Sequence, residues 1–271
     1  MSVFFATKFY VPIPQNSTRW QGTSTTHEQT MPIDDVLREL REQGGELPFG
    51  EAGQLAVMRN LAPWHYEEVA SAIRAFVPDN PQPKKMFYGR APGPSTIAYG
   101  YVMFAEGDHV GAVPTYTFSG TTCTAAQVPH GHMLWKMRNM AKRMADVDYN
   151  VALINDVRVV EGAEGAHVKQ TLGKHMDNEK SMDTDKPIVS FSFVADGDTP
   201  FVRRLSWNPV AMATRGACGI VELNGGDATC GMYSTHTHGL AASKTARAQI
   251  VITFRCTRSE HEKKRKRNVH A

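Results

Sequence analysis

His175 and Asp177 stand two residues apart in the stretch GKHMDNEKSMDTDKPIVSFSF at 173–193. On a strand or at its end, positions i and i+2 point to the same face, so an imidazole and a carboxylate spaced this way can address one ion. A third ligand must come from elsewhere, and STHTHGL offers His236 and His238, again two apart, just before the last strong strand-forming run. Two imidazoles and a carboxylate fill one face of an octahedron and leave the opposite face to substrates, the arrangement used by non-haem Fe(II) centres that activate oxygen. The spacing alone leaves His236 and His238 as alternatives for the distal position.

Taken singly, a His-x-Asp pair is weak, because a chain with eleven histidines produces such pairs by chance. The pair His130 and His132 in PHGH has ligand-like spacing too, but it opens a helical run and has no acidic neighbour, so it is not assigned to the site. The terminal run RAQIVITFR strengthens the case. Arg247, Gln249, Thr253 and Arg255 share one parity, so their side chains face one side of a strand. A buried arginine beside a metal is costly unless it meets an anion, and its planar fork matches a carboxylate.

The elements that must position these residues fall into two blocks. Residues 13–31 are rich in Ser, Thr, Gln and Asn without an apolar period, and read as a flexible leader. Helical spacing follows in MPIDDVLRELREQGGELPF, in APWHYEEVASAIRAFVP (Trp64, Val69, Ile73 and Phe76 on one stripe) and in HMLWKMRNMAKRM (Leu134, Met137, Met140 and Met144 inward). After Tyr149 the sequence turns β-branched and short-segmented: YNVALINDVRVV, KPIVSFSFVAD, ACGIVELNGGDAT and RAQIVITFRC. With no βαβ alternation and no phosphate-binding glycine loop, the pattern predicts a mainly β fold with flanking helices, an antiparallel barrel or jelly roll. The expected organisation is a leader at 1–31, helices and a lid region at 32–148, a β core at 149–258 and a basic tail at 259–271.

Bulk properties exclude several classes. The 271 residues suffice for one large core, and four cysteines without a CxxC pair argue against a disulfide framework or a thiolate zinc site. No apolar run approaches the roughly 20 residues of a membrane span, so a soluble intracellular protein without a membrane partner is expected. The five cations between Lys263 and Arg267 turn a formal charge of −2 into +3. Such a run reads as a solvated terminus, or as a nuclear-import signal or phosphate-tracking arm.

Five stretches, in this order, carry a resemblance: IAYG (97–100), TYTFSG (115–120), ALIN (152–155), HMDNEK with KPIVSFSF, and HGL with ITFR. The chain resembles the AlkB family of Fe(II)- and 2-oxoglutarate-dependent dioxygenases, and most of all its animal nuclear DNA-repair members. The resemblance implies a double-stranded β-helix with a nucleotide-recognition lid, and iron at His175, Asp177 and His238. It selects His238 over His236 because the distal histidine of the family is followed by a small and then an aliphatic residue. It implies 2-oxoglutarate at Asn155, Thr253 and Arg255, O2 at the open site, and a base pocket in which Phe118 stacks the flipped base against His175. Tyr116 and Glu179 would read the exocyclic edge of the base, Ser119 would line the wall, and Phe87 or Tyr88 would plug the vacated stack.

The chain departs from the family at three places. Val157 stands where a tyrosine is usual, the segment between Asn155 and His175 is longer, and Gln249 replaces the arginine six residues before Arg255. Arg247 shares the face of Gln249 but lies two residues, roughly 6.6 Å, further along the strand. A bulge would have to shift it into place, or the oxoacid carboxylate is held differently. The implied activity is oxidative demethylation of N-alkylated bases such as 1-methyladenine and 3-methylcytosine by a monomer acting on single- or double-stranded DNA. The rivals are a 2-oxoglutarate oxygenase acting on RNA, protein or free nucleotide, and an inactive nucleic-acid-binding module.

Overall fold

The computed structural model describes residues 55–58, 60–78, 97–105, 113–118, 121–158, 172–196, 203–209, 219–240 and 248–258. The leader, the first expected helix, Phe87, Tyr88, Ser119, most of the 156–174 insertion, Arg247 and the basic tail lie outside them.

Thirteen strands and two helices follow along the described chain. They are β1 (Ala56–Met58), α1 (Tyr66–Ile73), β2 (Ile97–Met103), β3 (Thr115–Phe118), β4 (Thr121–Thr124), β5 (Ala126–Gln127) and α2 (Met133–Ala145). Then come β6 (Val151–Val157), β7 (Leu172–His175), β8 (Ile188–Val194), β9 (Arg203–Pro209), β10 (Gly219–Leu223), β11 (Ala228–Gly231), β12 (His236–Leu240) and β13 (Gln249–Arg255). One sheet has the order β1-β11-β8-β13-β6-β2-β5, a second β10-β9-β12-β7, and β3 and β4 form a separate hairpin. From β6 to β13 the chain passes repeatedly between the two larger sheets, which makes the core a double-stranded β-helix, or jelly roll, as the strand pattern predicts.

Each face of the seven-stranded sheet has its own task. Ile250, Ile252 and Phe254 of β13, with Val189, Phe191 and Phe193 of β8, pack with the helices in one apolar cluster. The helices supply Val69 and Ile73 from α1 and Leu134, Met137, Met140 and Met144 from α2, the stripes that the helical spacing predicts. Glu68 accepts a hydrogen bond from the His65 N–H at the start of α1 (2.9 Å). His132 Nδ1 accepts one from the Leu134 N–H at the start of α2 (3.2 Å). His132 is thus a helix cap, and His130 stacks on Trp135, so the PHGH pair is structural. The alternate residues Gln249, Val251, Thr253 and Arg255 are left to face the second sheet.

Two glycines mark close approaches. A Cβ at Gly100 would meet the Phe76 carbonyl oxygen at 2.7 Å, so the end of the α1 segment rests directly on β2. A Cβ at Gly231 would lie 3.1 Å from the Trp207 ring, the side chain that fills the space between β11 and β9.

Candidate metal centre and adjoining pocket

Of the two alternatives that the spacing leaves, His238 is the direct cross-strand partner: on β12 it lies opposite His175 at the end of β7. Their rings stand 4.2 Å apart between centroids. Asp177 follows β7 by two residues, fixed by a hydrogen bond from its own N–H to the Tyr233 carbonyl (3.1 Å). Its carboxylate reaches both imidazoles, at 3.5 Å to His175 Nε2 and 3.8 Å to His238 Nε2. One ligand atom from each of the three residues falls within 4.8 Å of the others, close enough to share an ion with bonds near 2 Å.

His236 is excluded although it has the same parity. Its ring stacks flat on Trp207 (4.7 Å, 10°), and its Nδ1 lies 3.0 Å from the Thr235 hydroxyl. His238 instead meets the edge of Tyr233 at 4.6 Å, which turns its ring toward Asp177.

Electrostatics prepares Asp177 and His238 for a cation. Burial would raise the Asp177 carboxyl, but Arg255 and the two histidines outweigh it and bring the pKa down to about 2. Burial lowers His238 to about 4 against the opposing pull of Asp177, so its imidazole is neutral at physiological pH. An ionised carboxylate and neutral imidazoles are the forms a divalent metal requires, and the donor set fits one. His175 keeps 36 % of its side chain exposed while Asp177 and His238 are buried, which leaves one side of the site open.

Arg255 joins this centre to a second group of residues. One arm of its guanidinium donates to Asp177 Oδ2 (2.7 Å) and the other to the Tyr116 hydroxyl (2.9 Å). Tyr116 in turn donates to Glu179 Oε1 (2.5 Å), and the second oxygen of Glu179 lies 3.7 Å from Arg255. Burial tends to lower the Arg255 pKa, but Asp177, Tyr116 and Glu179 more than offset it, so the cation is held firmly. Tyr116 reaches the centre from the β3–β4 hairpin and packs on Tyr101 of β2. Phe118 pairs with Thr121 at the turn of that hairpin.

The remaining sequence candidates line the inner face of the large sheet. The Thr253 hydroxyl lies 3.2 Å from that of Ser190, and the Gln249 amide donates to the Ser192 hydroxyl (2.8 Å). Asn155 pairs with Val251 of β13 and Tyr99 of β2, and Val157 pairs with Gln249. The register from Gln249 to Arg255 runs unbroken against β6, so no bulge in that stretch moves Arg247 toward the place of Gln249. Sequence reasoning missed Ser190, Ser192, Arg203, Trp207 and Tyr233. The alternation in RRLSW was the available signal for two of them, since Arg203, Leu205 and Trp207 share one parity and all three are buried.

No family model and no curated protein matches the chain. Solved structures do. The structure of OsALKBH1 aligns with a TM-score of 0.45 and 12 % identity over 76 % of this chain and 99 % of that one. An oxidoreductase of the 2OG-Fe(II) oxygenase family from Burkholderia pseudomallei aligns with a TM-score of 0.43 and 13 % identity, over 84 % and 92 %. A Pseudomonas putida prolyl-4-hydroxylase aligns with a TM-score of 0.43 and 10 % identity, over 84 % and 100 %. Among the described residues, no helix is long and apolar enough to cross a membrane.

Proposed function

We propose that the protein is an Fe(II)- and 2-oxoglutarate-dependent dioxygenase that removes N-alkyl groups from nucleic-acid bases, with alkylated DNA as its substrate. The observation that carries this reading is the double attachment of Arg255: the same buried guanidinium bonds the metal-ligand candidate Asp177 and the Tyr116–Glu179 pair. The resemblance gives that pair the reading of a base edge.

His175, Asp177 and His238 would hold the iron. Iron held there, with 2-oxoglutarate and O2, would supply the oxidising power to hydroxylate an N-methyl group, with the oxoacid ending as succinate and carbon dioxide and the methyl carbon as formaldehyde. The chain's own residues do the positioning. Arg255 fixes the Asp177 carboxylate, and burial keeps the His238 lone pair free of a proton. Tyr116 and Glu179 present a hydroxyl and a carboxylate to the exocyclic groups of a base, which separates an amino edge from a carbonyl edge. Phe118, at the hairpin turn, would return part of the stacking that a flipped base loses.

The test is release of formaldehyde and succinate from a 1-methyladenine oligonucleotide supplied as single-stranded DNA, duplex DNA or RNA. Iron-dependent turnover on DNA that disappears in His175→Ala is the expected result. Turnover restricted to RNA would move the substrate assignment, and no turnover on any of the three would eliminate the repair reading.

A further inference from the structure

Arg203 opens β9, and only 2 % of it is exposed. Its Nε and NH1 find no hydrogen-bond partner among the described residues, and no acidic side chain among them forms an ion pair with it. Burial lowers its guanidinium to about 10 with no carboxylate to oppose the effect. The contrast with Arg255 is direct, because that residue is also buried but has both terminal nitrogens bonded and an ion pair to Asp177. A cation taken out of water with no counter-charge is among the costliest arrangements a core can hold, and it persists where an anion completes it.

Its position says which anion. Arg203, Leu205 and Trp207 form the inner face of β9, and Trp207 is the cross-strand partner of His238. Arg203 therefore lies four residues, about 13 Å of strand, from the metal-ligand end of that same face. It is at the level of Gln249. Arg203 pairs with Leu223, a Cβ at Gly225 two residues on would lie 3.5 Å from the Val194 backbone nitrogen, and Val194 pairs with Gln249. The buried Gln249 Oε1 has no partner either. The space between the sheets thus has metal ligands at one end and the hydroxyls of Thr253, Ser190 and Ser192 along one wall. Two incompletely bonded polar side chains, Gln249 and Arg203, stand at the other end.

We propose that Arg203, on the sheet opposite β13, holds the distal carboxylate of the oxoacid cosubstrate, taking over the charge that Gln249 lacks. The assignment rests on the 2-oxoglutarate reading of the site. A guanidinium fork meets a carboxylate in two parallel hydrogen bonds, so a dicarboxylate would be separated from a monocarboxylate at this point.

Equilibrium binding to the full chain loaded with Mn(II), by titration calorimetry, tests it with 2-oxoglutarate and pyruvate, which share the oxoacid head and differ in the second carboxylate. In Arg203→Met the dissociation constant for 2-oxoglutarate should rise by about 30-fold or more, and that for pyruvate should stay within about twofold. The melting temperature of metal-free Arg203→Met should equal or exceed that of the wild type, because an unpaired buried charge has been replaced by an apolar chain. Adding Gln249→Arg to Arg203→Met, which returns a guanidinium from β13, should recover the affinity for 2-oxoglutarate. An unchanged preference for 2-oxoglutarate over pyruvate in Arg203→Met overturns the proposal, as does equal weakening of both ligands. If Arg203→Met does not fold, Arg203→Lys decides by the same ratio. A wild-type protein that binds neither oxoacid overturns the cosubstrate reading itself, which is distinguishable from wild-type binding with an indifferent Arg203.

Discussion

Arg255 on the last strand and Asp177 beyond the seventh share a 2.7 Å hydrogen bond in which both side chains are about 5 % exposed or less. Removing the cation leaves a buried carboxylate with only the two imidazoles beside it, at 3.5 and 3.8 Å. Metal-free Arg255→Leu should lose about 3–5 kcal/mol of stability, and saturating Mn(II) should return part of it. Denaturant unfolding with and without the ion measures both. Equal stabilisation of wild type and variant by Mn(II) would show that the ion does not sit on Asp177.

The two candidate distal histidines part company in a metal assay. His238→Ala should lose metal at concentrations that saturate the wild type, because its ligand atom belongs to the cluster. His236→Ala should keep its metal, having lost a ring that stacks on Trp207. Metal content after dialysis compares them, and the reverse pattern would reassign the ligand.

Tyr116→Phe removes the hydroxyl that links Arg255 to Glu179. It should leave Mn(II) affinity unchanged, since no ligand atom is altered. Its effect should fall on kcat/KM for a methylated oligonucleotide, by about tenfold or more for one lost hydrogen bond to a charged group. A loss of metal affinity equal to the loss of turnover would place Tyr116 in the support of the ion instead.

Gly231 touches Trp207 so closely that a methyl group must displace the indole or Leu55, at 3.1 and 3.0 Å. Gly231→Ala should destabilise the fold by about 1–3 kcal/mol. It should also weaken metal binding, because Trp207 packs on His236 and lies 6.0 Å from His238. Melting temperature and Mn(II) affinity should therefore fall together.

Tyr149 is buried and donates to the Pro187 carbonyl (2.9 Å), and burial raises its pKa far above 10. Above pH 10 the unfolded chain can release this proton and the folded one cannot. Stability contributed by Tyr149 is therefore present below pH 10 and is lost as the pH rises beyond it. Tyr149→Phe should cost about 1 kcal/mol at pH 7 and show a shallower alkaline decline, by one proton, in unfolding measured from pH 9 to 11.

The sequence carried the parts of this design that depend on local period. Alternation put His175 with Asp177 and Gln249 with Arg255, and the 3.6-residue stripes of α1 and α2 matched the residues that pack on the sheet. What it could not carry were choices made by distant strands. His236 and His238 have the same parity, and the pairing of β12 with β7 and β9 decides between them by setting His238 opposite both His175 and Trp207, while His236 lies opposite Pro209 and stacks its ring on Trp207. The run ACGIVELNGGDAT reads as one strand segment, yet it supplies β10 to one sheet and β11 to the other across a tight turn at Gly226. Residue type does not distinguish Arg203 from its neighbour Arg204. Arg204 bonds Glu222 at the surface, while the inward parity of Trp207 carries Arg203 into the core.

In the order β1-β11-β8-β13-β6-β2-β5 no two hydrogen-bonded neighbours are consecutive strands of the chain. Every neighbour in that sheet must therefore be recruited across intervening elements, the kind of topology that folds slowly. His175 and His238 meet only when β12 has found β7, so the third donor joins His175 and Asp177 through strand pairing and not through local sequence. An ion would reach the completed set from the side on which His175 remains exposed to water.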